Sequence, residues 1–591
     1  MNQKTEAAQL RSDGYFFTRR MFKRQYIPAV ISAATLAASD VADAVVVGNR
    51  MGMVGLAAMA FVLPVFMIYN VIMHSFGLGG SIRFSDQMAR GEERKAVSGF
   101  QGVVSCLVML GIGIAALGNV LLVPIERLLG ADPANTVLFS TTGVYLRLIL
   151  GAAPLFFIAY SLGYYMRNAD MEKEASICAS TGNIIDIALN VVLVIGLRKG
   201  AIGAGIATLI GVLVTSALEL TMLHIRKSPL RLFPRKVDYT GLWHTFRTGF
   251  SSSISYIYSL VYLLICNNLL MRMSGERGVA IFDVVQNISY FFIYLYGAAA
   301  QAVQPILSTY HGEHNDEGCR TLERMSMRVA LAVGAVAAVT IALIAPAICR
   351  FFGIRDESAV TLGAWAIRMF CISTMLGGLN MLLGSFPLAR GAEWPAFVCT
   401  SLRGAIVLLP VTILFSSFGE HWFWVLYPVT ELLALAAFLL YRRYRYREKD
   451  SLAPERVYRA MLHDRVEDIG PVTQEIDAFC ERWKANMKQQ YFVQMTVEEL
   501  CSAIIVNGFS EGRDRSGMIQ ITLVAGEDGV FTLHVRDSAV AFNPFGMESA
   551  DLKGNSEDMD FNAVGMDVIK TKADEFFYRR YQGFNTMVVK I

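Results

Sequence analysis

Ile27-Pro28-Ala29-Val30-Ile31-Ser32, continuing through Ser39-Asp40-Val41-Ala42-Asp43-Ala44-Val45-Val46-Val47-Gly48, is an apolar run that carries two carboxylates. A window this long and this apolar predicts a membrane-crossing helix, in which an acid is costly unless it faces a bundle interior or a water-filled cavity. Asp40 and Asp43 stand three residues apart, so they share one helix face and point the same way. They are the leading candidates for binding a proton or a metal cation.

The rest of the chain extends this reading. Of 591 residues, 54% are hydrophobic and only 17% are charged, which excludes an ordinary soluble protein of several domains. Apolar windows begin near Ile27, Val54, Ala96, Leu138, Glu174, Ala201, Phe250, Gly278, Ser326, Val360, Pro395 and His421, about twelve spans of the length that crosses a bilayer. Lys23 and Arg24 precede the first, Arg90, Arg94 and Lys95 follow the second, a basic run from Arg226 to Lys236 follows the sixth, and Arg442, Arg443, Arg445 and Arg447 follow the last. Alternate loops therefore carry the basic excess, which predicts a multi-pass protein of the plasma membrane with both termini cytoplasmic. No short apolar core precedes the first span, so no cleavable signal peptide is expected. The net charge of +3 says little, no nucleic-acid partner is expected, and nine scattered cysteines suggest neither a disulfide framework nor a structural metal site.

The membrane part reads as a duplication. Gly91-Glu92 recurs as Gly312-Glu313, Arg147 as Arg368, and Ala175, Cys178 and Ser180 as Ala396, Cys399 and Ser401, at one offset of 221 residues. Arg127 and Gly130 recur as Arg350 and Gly353 with two residues more. The expected organisation is an all-α bundle of two pseudo-symmetric six-helix lobes, residues 1–225 and 226–447, an arrangement suited to alternating access. An α+β cytosolic unit over 448–591 completes it. In that unit helical patterns cover roughly 454–463, 474–488, 496–509 and 564–573. Glu527-Asp528-Gly529 turns one hairpin, and residues 575–580 and 586–591 form another.

Further polar groups lie inside the apolar windows. Asp186 and Asn190, four residues apart, share a face of the fifth span, and Thr208 lies in the sixth. Oxygen ligands of this kind suit a hard cation such as Na⁺ as well as a proton, since burial favours a protonated carboxylate. The second half offers the amides Asn267, Asn268, Gln286, Asn287 and Asn380, with Asp283 near the start of span eight, so coupling is expected in the first lobe. Arg147 and Arg368 favour a shared structural role, and Glu431 is open between lobe anchor and gate.

Pro28 to Ser32, Ser39-Asp40-Val41-Ala42-Asp43 and Val47-Gly48 resemble the first helix of multidrug and toxic compound extrusion (MATE) transporters. Gly200-Ala201-Ile202-Gly203-Ala204-Gly205-Ile206-Ala207-Thr208 is similar to that family's sixth helix, and Gln304-Pro305-Ile306 with Gly312 to its eighth. The resemblance implies a secondary active transporter that exports amphipathic or cationic organic compounds by antiport with H⁺ or Na⁺. It makes Asp43 the helix-one carboxylate, Asp186 and Asn190 the helix-five pair, and Thr208 the helix-six hydroxyl. Two departures stand out: Asp40 occupies a place usually held by Asn, and Asp186 and Asn190 come in the reverse of the usual order.

In the tail, Glu498-Glu499-Leu500, Val535-Arg536-Asp537-Ser538-Ala539, Phe542-Asn543-Pro544-Phe545 and Val564-Gly565-Met566-Asp567 resemble the Bergerat-type ATP-binding fold of anti-sigma-factor serine kinases and histidine kinases. The resemblance makes Glu499, Asp537 and Gly565 the nucleotide-binding candidates. Ala503 stands where a Mg²⁺-binding Asn is usual, and Ala539 and Ala563 stand where glycines are. Mg-ATP is therefore not an expected cofactor, and a degenerate domain that regulates transport or binds a cytosolic protein is expected instead. No enzyme activity and no cofactor beyond the coupling ion are called for; the partners are the organic substrate and the bilayer. Two alternatives remain at this level, a membrane-tethered signalling protein whose tail acts as a kinase or partner-switching module, and a lipid-linked saccharide flippase.

Overall fold

A computed structural model describes residues 3–89, 93–169, 171–226, 230, 241–390, 392–444, 452–509, 517–540, 542–546, 561–581 and 584–591. Gly91 and Glu92, most of the 226–236 linker, and the basic residues beyond Tyr444 lie outside them, as do the side chains of Asp40 and Ala563.

The first repeat comprises α1 (Gln3–Ile72), α2 (Gly79–Ala89), α3 (Glu93–Val120), α4 (Leu122–Leu129), α5 (Thr136–Gly151), α6 (Ala153–Asn168), α7 (Glu172–Asn190) and α8 (Gly200–Ile225). The second comprises α9 (Leu242–Gly312), α10 (Asp316–Leu343), α11 (Ala345–Phe351), α12 (Glu357–Ala389), α13 (Glu393–Ser401), α14 (Leu408–Ser416), α15 (Glu420–Phe423) and α16 (Leu426–Tyr444). The duplication is visible in the irregular backbone. Short helices α4 and α11 each end on a left-handed glycine, Gly130 at φ 110° and Gly353 at φ 89°. Asn135 and Asp356 then cap α5 and α12, and π-turns at Val191–Gly196 and Leu402–Ile406 interrupt corresponding spans.

Among the described residues nine helices are long and apolar enough to cross a membrane, and the α5–α6 pair, bent by 50°, makes a tenth. Two of these are double. Gly52 (φ 63°, ψ −146°) breaks α1 and Gly275 (φ 63°, ψ −151°) breaks α9, in a region that side chains other than glycine's avoid. A Cβ at Gly55 would lie 3.2 Å from the Val47 carbonyl oxygen; in an unbroken helix residues eight apart are about 12 Å apart. The chain therefore folds back at Gly52, and Gly278 meets the Leu270 carbonyl in the same way. Splitting α1 and α9 there restores the twelve expected spans. Large apolar residues such as Leu117, Val120, Val336 and Leu343 remain exposed on the outer faces, where lipid would cover them.

The C-terminal unit is a five-stranded antiparallel sheet of order β1-β2-β3-β5-β4, built from β1 (Val457–His463), β2 (Met518–Ala525), β3 (Phe531–Asp537), β4 (Glu575–Tyr581) and β5 (Phe584–Lys590). Ile521, Val535 and Met587 stand side by side on one face and pack against α17 (Ile469–Arg482), α18 (Met487–Ala503) and α19 (Phe561–Lys572). Both expected hairpins and the last helix form. The helix expected over 454–463 does not: Val457 to His463 pair with β2 instead. Its short apolar pattern fits either period, and the sheet partner decides.

Candidate functional site

Helices α1 and α7 bring together three of the five residues singled out in the first lobe. The Asn190 side-chain amide donates to Asp43 Oδ1 at 2.8 Å and to Asp186 Oδ1 at 3.2 Å. One amide thus ties two carboxylates from different helices. Asn190 is 1% exposed, and its own Oδ1 is buried without a hydrogen-bond partner. The amide nitrogen faces the two carboxylates, which leaves Oδ1 as a further buried acceptor; oxygen groups of these kinds suit a hard cation. Helix α8 closes the site through Gly211, where a Cβ would lie 2.8 Å from that of Asp186. Thr208, one turn away, donates instead to the Ala204 carbonyl of its own helix at 3.2 Å. Tyr145, buried on α5, lies within electrostatic reach of Asp43, Asp186 and Asp283. Asp283, 1% exposed on the second half of α9, accepts from the Asn287 amide at 3.3 Å.

The second lobe holds a charge pair of which the sequence reading singled out Glu431 but missed Arg403. Arg403 Nε donates to Glu431 Oε1 at 2.7 Å, and Asn380 Nδ2 to Glu431 Oε2 at 2.7 Å. Both carboxylate oxygens are engaged, so Glu431 anchors α16 to α12 and to the π-turn. The signal was available: a lone arginine within an apolar window calls for an acid on a neighbouring span. Arg368 bonds the Ala342 carbonyl at 3.3 Å.

In the tail, Asp537 is fully buried at the end of β3. Its Oδ1 accepts from the Ala539 amide and from Asn585 Nδ2, both at 2.8 Å, while Oδ2 has no partner. Burial pushes its carboxyl up to about 6. Asn585, which the sequence did not single out, also bonds the Val540 carbonyl and accepts from Arg580 and Tyr578. Glu499 on α18 is raised by burial and by Glu498, with one carboxylate oxygen orphaned. A Cβ at Gly565 would lie 2.3 Å from that carboxyl, so α19 approaches it only as glycine. Ala539 packs on Gly508, where an added Cβ would come within 2.9 Å of its methyl. Asp537 keeps a free acceptor in Oδ2, but Ala503 supplies no ligand for a metal beside Glu499.

The profile of the MatE family matches residues 28–192 and 251–413, more than half of the chain. This chain belongs to the MatE family of transporters. A histidine kinase-like ATPase domain matches residues 462–591. The MATE chain is 23% identical to the probable multidrug resistance protein YoeA of Bacillus subtilis, over 71% of this chain and 92% of that protein. It is 21% identical to an FAD transporter of Shewanella oneidensis, over 72% and 94%. An inward-facing multidrug resistance MATE transporter of the MOP superfamily superposes with a TM-score of 0.63 at 19% identity, covering 70% of this chain and 98% of that one. Asp43, Asp186 and Asn190 of this MATE protein all fall within the first matched stretch, residues 28–192.

Proposed function

We propose that this MATE protein is an antiporter of the plasma membrane that exports amphipathic or cationic organic compounds in exchange for H⁺ or Na⁺. Both termini and the 448–591 domain lie in the cytoplasm, and residues 1–225 and 226–447 are the two lobes. The observation that carries the reading is the Asn190 amide bridging Asp43 and Asp186. A proton or monovalent cation taken up between two carboxylates relieves their repulsion and draws α1 toward α7. Cation binding then favours one facing state and substrate the other, through their different affinities for the two. Asp40, three residues before Asp43 in the sequence, adds a further carboxylate, and Thr208 supplies a hydroxyl one turn along α8. The C-terminal domain regulates this cycle and transfers no phosphoryl group, because Ala503 removes the metal ligand on which that chemistry depends.

Efflux of a cationic dye from proteoliposomes under separately imposed proton and sodium gradients tests the reading. One of the two gradients is expected to drive efflux, and neither does so after Asp43→Asn. A dinucleotide arm separates cationic cargo from the anionic cargo named for the Shewanella relative.

A further inference from the structure

The C-terminal sheet has a second face, opposite the one that carries Asp537, on which Gln520 and Arg536 are buried. Successive strand residues point to opposite sides, so Arg536 faces away from the helices that Asp537 faces. Met461, Gln520, Arg536 and Thr586 stand in register across this face. It meets the membrane bundle at two places.

The first is the turn between α9 and α10, in the second repeat. Arg536 forms an ion pair with Glu313 in which the side chains are 3% and 2% exposed. The guanidinium also donates to Gln520 Oε1 at 3.0 Å and lies 5.2 Å from the Tyr310 ring centroid. Arg459 donates to the His314 carbonyl at 2.8 Å. The second place is the N-terminal part of α1, in the first repeat. Phe17 meets Phe584 edge-on at 5.5 Å and Arg24 lies 5.6 Å over the same ring; beside them, within the bundle, Thr18 of α1 bonds the Tyr310 hydroxyl of α9 at 2.9 Å.

We propose that the C-terminal domain is a strap joining the two lobes at their cytoplasmic end, which must release the first lobe before that end opens. The inference rests on the alternating-access reading above. Two fully desolvated charges are held only while each has the other, so parting Arg536 from Glu313 is costly. Parting Phe17 from Phe584 exposes apolar rings without stranding a charge, so the α1 contact is the one that yields. The sheet therefore travels with the second lobe, and the Phe17–Phe584 seam, together with the Thr18–Tyr310 bond, opens.

Spin labels at Arg94→Cys and Arg320→Cys, exposed positions near the starts of α3 and α10, read the separation of the lobes at this end. The full chain in nanodiscs serves, with Cys106 replaced because it is the one native cysteine that is not buried. Phe584→Ala and the double variant Glu313→Gln/Arg536→Met are each expected to raise the long-distance population at least twofold over the parent. Phe584→Ala keeps the buried ion pair and so guards against misfolding of the double variant. Parent-like distances in folded Phe584→Ala protein overturn the proposal. The readout needs no cargo, so a failed efflux assay with the expected distance change counts against the transport reading alone.

Discussion

At the scale of the residue, what matters is which charges are matched. Glu431 and Arg403 satisfy each other, with side chains 13% and 34% exposed. Glu431→Leu, which leaves the arginine without its partner, is expected to cost stability toward the low end of about 3–5 kcal/mol. The double variant Glu431→Leu/Arg403→Met should recover most of that loss in thermal unfolding, and failure to recover would mean that the pair is not the anchor. Asp537 gives the opposite sign. Its carboxyl rises from 3.8 to about 6 on folding, so the folded chain holds the proton more tightly. The stability this contributes is complete below 3.8 and is lost as pH climbs through 6, a swing of about 2–3 kcal/mol. Asp537→Asn should therefore stabilise the C-terminal domain at pH 7.5 and leave it nearly unchanged at pH 4, as read by domain unfolding at the two pH values. Asp43 and Asp186 were legible in the sequence because an acid within an apolar window has few structural excuses. Asn585 was not, because a polar residue in an alternating strand looks the same whether it meets solvent or a buried aspartate.

At the scale of the element, two glycines define the hairpins on which each lobe is built. Gly52→Ala and Gly275→Ala each force a side chain into a backbone region that costs about 1–3 kcal/mol. Each is expected to lower the melting temperature, while Gly113→Ala, in open helical surroundings, should not. Equal effects at all three would contradict the fold-back. The hydropathy windows located the spans, since length and apolarity are local properties. They did not separate β1 from a helix, because Val457, Ala460, Met461 and Leu462 satisfy either period and only pairing with β2 chooses. Pseudo-symmetry was legible from residues spaced a constant distance apart, and the paired left-handed glycines Gly130 and Gly353 carry the same message in backbone form.

At the scale of the whole molecule, a MATE bundle is joined to a kinase-like fold through a face that neither fold's motifs describe. The Arg536–Glu313 contact links residues 223 apart in sequence, and no local pattern announces a pairing over that distance. The acidic site was readable because its members lie on single helix faces, although the Asn190 bridge between α1 and α7 appears only once the helices pack. That bridge is the centre of the account. Its most direct test is dye efflux from proteoliposomes driven by an imposed proton or sodium gradient, compared between the parent and Asp43→Asn with matched amounts of folded protein. The account predicts a gradient-driven rate in the parent that falls at least tenfold in the variant. A variant that exports the dye at the parental rate under the same gradient would contradict it.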